Sequence, residues 1–256
     1  MPDYASLFGI KSLAAPIVFA ILYFPFFVYY FSKAIARPIY IYIIITLFCA
    51  IRIAAFVIRA LLASVKSDQD NLHVLIAYEI LYNTGFFGLL YSAYSLVTAR
   101  VAVAKNPPNG PISRLLRHHF LFRIALSAAV AIGITGAIQS GLGTTTSTIN
   151  TGNTLRKVAI YIFLVCTILV FLQTLFLARV ELSDGGYRGS AGQIGSKYDI
   201  FFLLVISLLL LVREAFFTAT ANKLDKQYNE AFWYPLSVVT EFIAVILFAT
   251  PGLVPA

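Results

Sequence analysis

Charge is scarce in this sequence: of 256 residues only 12% are Asp, Glu, Lys or Arg, about half the share of a soluble globular domain. So few ionised groups cannot furnish a water-facing shell, which excludes a soluble single-core protein. Disorder, collagen and coiled coil are excluded with it. Cysteine is nearly absent. Cys49 and Cys166 both lie in apolar runs and there is no C-x-x-C or Cys/His cluster, so neither a disulfide framework nor a metal set is expected. The three histidines, His73, His118 and His119, supply no pair of axial ligands within spans, which excludes a membrane haem protein. The last apolar run holds no lysine, which excludes a retinal Schiff base. No nucleophile–base pair and no phosphate loop is present, so no cofactor is expected and catalysis ranks last among the functions considered. N-x-S/T acceptors are missing from the loops, so glycosylation gives no check on topology.

What is plentiful is apolar: 60% of the chain. Crossing about 30 Å of hydrocarbon takes about 20 residues of helix, and seven runs are long enough. They extend from Ser12 to Phe31, Pro38 to Ala63, Leu72 to Ala99, His119 to Leu142, Leu155 to Ala178, Tyr198 to Ala221 and Ala231 to Thr250. The runs lack period-two alternation and are too long for strands, while helices satisfy their own backbone groups in lipid. The expected fold is an all-α, seven-helix, multi-pass bundle in one membrane domain, in the plasma membrane or an endomembrane. The joints carry stop signals: Arg37-Pro38, Asp70-Asn71, the run Asn106-Pro107-Pro108-Asn109-Gly110-Pro111, and Gly185, Gly186 and Gly189. The hydroxyl-rich stretch from Gly143 to Gly152 reads as a solvated loop. Ala34-Ile35-Ala36 resembles a signal-peptidase site, but Lys33 and the Tyr-rich run before it argue for a retained first span.

The formal net charge of +8 comes from basic residues scattered between apolar runs, which points to membrane orientation rather than nucleic acid. Loops after the first, third and fifth spans hold nine cations, among them Lys33, Arg37, Arg100, Arg114, Arg117 and Arg179. The opposite side holds six: Lys11, Lys66, Arg156, Lys157, Lys223 and Lys226. The positive-inside rule then predicts an outside amino terminus and a cytoplasmic carboxyl terminus. Arg114, Arg117, His118 and His119 form a basic segment suited either to anionic lipid at the cytoplasmic face or to a solvated helix start.

Away from the first turns of the apolar runs lie six charges: Arg52, Arg59, Glu79, Arg213, Glu214 and Glu241. Each costs roughly 2.5 to 3.5 kcal/mol at the bilayer centre, so they should face inward and pair. Arg52 and Arg59 are seven residues apart and share a helix face. The expected pairs are Arg52 or Arg59 with Glu79, and Arg213 with Glu241. Tyr78, Tyr82 and Asn83 flank Glu79. Trp233 and Tyr234, at the start of the seventh span, read as interfacial anchors rather than pocket walls. Two roles stay open: a polar cavity among the second, third, sixth and seventh helices, lined by Arg59, Glu79, Asn83, Arg213 and Glu241, or an ion-pair network that fixes packing. Pro25 interrupts the first helix. Ala129, Gly133, Gly136 and Ser140 form a small-residue face, read as packing within the chain rather than a dimer seam, although a homo-oligomer stays open.

The segments Leu211-Val-Arg213-Glu214-Ala-Phe216, Asn229-Glu230-Ala-Phe-Trp-Tyr234, Thr240-Glu241 and Thr250-Pro251-Gly252 resemble the carboxyl-terminal part of fungal seven-helix membrane proteins. Two groups are similar: the resistance-to-aminocholesterol-like family of lipid-translocating exporters, and an integral-membrane family of unknown function with the same architecture. The second is nearer, on Ile51-Arg52-Ile53 through Arg59 and on Asn83-Thr-Gly85. Against the exporter pattern Glu-x-x-x-Tyr-x-x-Asp, Glu230 and Tyr234 fit and Ser237 takes the aspartate position; Arg213 lacks the second arginine. The resemblance implies a membrane protein that binds or moves a lipid or sterol-like amphiphile. A seven-helix sensor with a cytoplasmic partner is the alternative, and an intramembrane enzyme using Glu79 or Glu241 as a general acid the third.

Overall fold

The structure, a computed structural model, describes residues 9–10, 12–64, 71–104, 110–183 and 198–254. Lys11, Lys66, Asp70, Lys105, the Asn106 to Asn109 run, Gly185, Gly186, Arg188, Gly189 and Lys197 lie outside the described residues. Among these residues seven helices are long and apolar enough to cross a membrane: α1 (Ala14–Ala36), α2 (Tyr40–Ser64), α3 (Leu72–Val103), α4 (His119–Leu142), α5 (Thr146–Ser183), α6 (Asp199–Thr220) and α7 (Glu230–Phe248). A short helix, Pro111–Arg117, precedes α4, and one turn, Leu224–Gln227, precedes α7. The chain is a polytopic membrane protein.

Local chemistry sets the ends. α1 continues through Pro25 and stops before Arg37, which the following Pro38 holds in extended backbone. Asn71 caps α3 by accepting from the His73 N–H at 3.1 Å, and Asn229 caps α7 by accepting from the Ala231 N–H at 3.0 Å. Within α7, the six residues Tyr234–Val239 form a π-helical turn. Pro235 sits in it, where a missing N–H and a ring against the preceding turn disfavour regular α geometry.

Successive helices pack side by side, α7 returns to α1, and α3 stands inside, touching α2, α4, α5 and α6. α1 exposes Ile17, Ile21, Phe24 and Ile35 and presents the most lipid-facing wall. One end of the bundle gathers the starts of α1, α3, α5 and α7, and is called here the Asn71 end. The other, where α1 closes and α2 opens, is the Arg37 end.

The stretch from Gly143 to Gly152 corrects the loop reading: α5 begins at Thr146 and runs 38 residues, about 57 Å, well beyond the hydrocarbon thickness. Its hydroxyls turn back on their own helix, Thr151 Oγ1 donating to Ser147 O and Thr154 Oγ1 to Asn150 O, each at 2.9 Å. A hydroxyl bonded this way finds its partner within the helix, so a Thr-rich run can stay helical although each such bond weakens the helix slightly. The small face of α4 packs on this extension: a Cβ on Gly136 would lie 2.7 Å from Arg156 N. The Ala129–Ser140 stripe thus serves contact within the chain.

Candidate functional site

The intramembrane charges assemble into three groups. At the Asn71 end, Arg59 of α2 donates to the Tyr78 hydroxyl at 2.8 Å and meets Glu230 at 3.1 Å. Its guanidinium lies 4.2 Å from the Trp233 ring centroid and 5.5 Å from that of Tyr234, a cation–π arrangement that stabilises a charge removed from water. Trp233 is buried, which corrects its reading as an interfacial anchor: its indole face is spent on Arg59. Tyr234 stacks on Phe19 with centroids 5.6 Å apart.

Deeper in the bundle lies a continuous network. Arg52 Nη2 reaches Glu241 Oε1 at 2.7 Å and Arg213 Nε reaches the same oxygen at 2.9 Å; Arg213 also bonds Glu214, its neighbour in sequence. Arg52 Nη1 donates to the Tyr82 carbonyl at 2.6 Å, and the Tyr82 hydroxyl meets Ser237 Oγ at 2.7 Å. Arg52 and Glu241 are both 0% exposed. Two cations and two anions balance, as they must where each uncompensated charge costs several kcal/mol. The expected pair of Arg213 with Glu241 forms.

Glu79 pairs with neither Arg52 nor Arg59. It takes Arg156 Nη2 of α5 at 3.1 Å and the Tyr228 hydroxyl. The reason is angular: Glu79 leaves α3 toward α5, whereas Tyr78 and Tyr82 face α2 and α7. Arg156 and Glu230 are the partners that sequence reasoning missed. Arg156 lies ten residues into α5, nearly three turns past an opening whose composition reads as loop, and Glu230 sits at the first residue of α7.

Glu79, Asn83, Arg156, Arg213 and Glu214 line a cleft of about 60 Å³ between α3, α4, α5 and α6. Ala129, Val130, Gly133, Ala159 and Phe163 make its apolar wall. Asn83, whose Nδ2 donates to the Glu79 carbonyl at 3.0 Å, is exposed at the mouth. This corrects the expected cavity among the second, third, sixth and seventh helices: Arg52, Arg59, Glu241, Tyr78 and Tyr234 are packed into the other side of α3 and do not line the cleft. Arg213, only 3% exposed, joins the two regions; its Nη2 has no hydrogen-bond partner among the described residues. A buried donor of that kind costs on the order of 1 to 3 kcal/mol unless something accepts from it.

No curated protein and no solved structure matches the chain. A family model does, over residues 12–255, and therefore over all seven helices and every residue of the cleft: the chain belongs to the family DUF7702, a domain of unknown function.

Proposed function

We propose that the protein binds the polar head of a lipid or other amphiphile in the cleft between α3, α4, α5 and α6. The observation that carries this reading is a buried donor, Arg213 Nη2, with no hydrogen-bond partner among the described residues, on a residue lining a cleft that is charged on one wall and apolar on the other. About 60 Å³ takes a few waters or a small head group and far less than an acyl chain. A tail must therefore run outside, along the partly exposed Ile80, Val130, Ile134 and Ile160 at the rim. An acceptor oxygen on the head answers Arg213, and the Glu79–Arg156 pair offers both a donor and an acceptor beside it. The deep network needs no ligand to balance its charge, so Arg52 and Glu241 belong to packing rather than to binding.

Mass spectrometry of lipids retained by protein purified from its native membrane tests this reading. One amphiphile is expected at near-stoichiometric amount in the wild type, falling at least tenfold in Val130→Trp, which fills the cleft from its apolar side and leaves every charge in place. Thermal stability in detergent should be unaltered. A wild type that retains nothing, or a Val130→Trp variant that retains as much, ends the proposal.

The orientation proposed is amino terminus outside, with the Arg37 end in the cytoplasm. Its support is the loop charge count, sharpened by Arg156 leaving the outer set for a half-buried ion pair. Cys49 and Cys166 are buried, so labelling background is low. A membrane-impermeant maleimide added to sealed cells should modify Thr144→Cys and spare Arg114→Cys, both at exposed positions; the reverse pattern inverts the topology.

A further inference from the structure

We infer that the Arg37 end holds a second site, for a phosphate ester, independent of the cleft and of the reading given to it. A cavity of about 580 Å³ lies where α1, α2, α3, α6 and the turn after α7 meet, within the range of sites that hold small molecules. Among the described residues three cations line it, Lys33 and Arg37 from the close of α1 and Arg100 from the close of α3, against one carboxylate, Asp199. Arg100 is committed to structure: it bridges Glu181 and Asp199, each at 3.1 Å. Lys33 and Arg37 have no carboxylate partner among the described residues; Lys33 lies 5.6 Å from the Tyr29 ring centroid.

Cations at helix carboxyl ends are favourable by themselves, since they complement the carbonyls there. That accounts for each residue on its own helix but not for their convergence on one cavity. Even with Glu181 and Asp199 both counted against Arg100, positive charge remains in excess among the described residues and calls for an anion, and a guanidinium beside an ammonium suits a phosphate better than a single carboxylate, because the fork and the point charge together satisfy several oxygens. The inner wall is apolar, with Leu96, Leu203 and Leu253, and the space exceeds what a bare inorganic anion fills. The ligand class is therefore an organic phosphate ester, presented by a phospholipid head group of that leaflet or by a soluble molecule. Basic pockets between helices at a membrane surface are suited to such head groups.

The test uses the full chain in phosphatidylcholine nanodiscs, titrated with dioctanoyl phosphatidate and, separately, with glycerol 3-phosphate, with binding read by native mass spectrometry. One equivalent of ester should bind. Affinity should fall at least tenfold in Lys33→Gln/Arg37→Gln, and it should be retained in Arg114→Gln/Arg117→Gln, which removes two cations from the same end outside the cavity. Phosphatidate binding alone identifies a lipid source; equal binding of glycerol 3-phosphate identifies a soluble one, and either supports the site. Should the double variant prove unstable, Arg37→Gln, at an exposed position, carries the same reading with a smaller loss. Binding of neither probe, or equal losses in the two double variants, overturns the site and leaves the cleft untouched.

Discussion

Glu241→Gln is expected to cost on the order of 3 to 5 kcal/mol, the penalty for removing one partner of a buried ion pair. The substitution keeps shape and volume, so what it removes is charge. Two cations would then stand against one anion, Glu214, which bonds Arg213, and Arg52 would face an amide where its anion stood: Glu241 Oε1 lies 2.7 Å from Arg52 Nη2 and 2.9 Å from Arg213 Nε. The measurement is thermal denaturation in detergent with monodispersity by size exclusion; a fall of roughly 10 °C corresponds to that energy for a chain of this size. Glu181→Gln is the control. It touches Arg100 where the two side chains are 37% and 22% exposed, and exposed pairs contribute about 1 kcal/mol or less. The double variant Arg52→Met/Glu241→Met restores charge balance by removing one cation with one anion, and it should be much more stable than either single change, a coupling that a double-mutant cycle isolates. If Glu241→Gln melts with the wild type, the network is not the packing device described.

Much of this bundle is legible before any coordinates, and the reason differs from element to element. Spans such as His119 to Leu142 are readable because length and hydropathy are properties of one helix alone; the run that α5 adds before Leu155 is not, because hydropathy counting sees threonine and asparagine and not the carbonyl four residues back. Inward placement of Arg52 and Arg59 follows from seven-residue spacing and the cost of charge in lipid. The choice of partner does not follow, since it depends on how α3 is rotated between its neighbours: one face gives Tyr78 and Tyr82 to α2 and α7, the next gives Glu79 to Arg156. For the same reason the cleft appears on the α4 and α5 side of α3. Trp233 illustrates a limit of residue-type rules. Tryptophan prefers the interface because it carries one polar tip, but a neighbouring buried guanidinium makes its ring face more useful inside.

Gly152→Ala sets two effects of opposite sign against each other. Alanine in place of glycine within a helix should stabilise by about 0.5 to 1 kcal/mol through backbone propensity. Packing opposes this: a Cβ on Gly152 would stand 2.3 Å from Ser140 N, 2.8 Å from Gln139 C and 2.9 Å from Gly136 O. All three are backbone atoms of α4, so no side chain can rotate away and the helices themselves must part, at a cost of about 3 kcal/mol or more. The net is a clear loss, measurable as a lower denaturation midpoint. Gly133→Ala is the internal comparison, since its Cβ would meet only the Ala159 Cβ at 3.4 Å, an ordinary contact, and propensity should leave it neutral or slightly stabilising. The damage at Gly152 should also travel. It lies one turn before Arg156, so parting α4 from α5 draws Arg156 away from Glu79 and alters the charged wall of the cleft. A charge-neutral change at the Asn71 end should therefore weaken amphiphile retention together with stability, whereas Val130→Trp weakens retention alone. Equal stability of Gly152→Ala and wild type, or equal damage from Gly133→Ala, would show that α4 and α5 are not in backbone contact there.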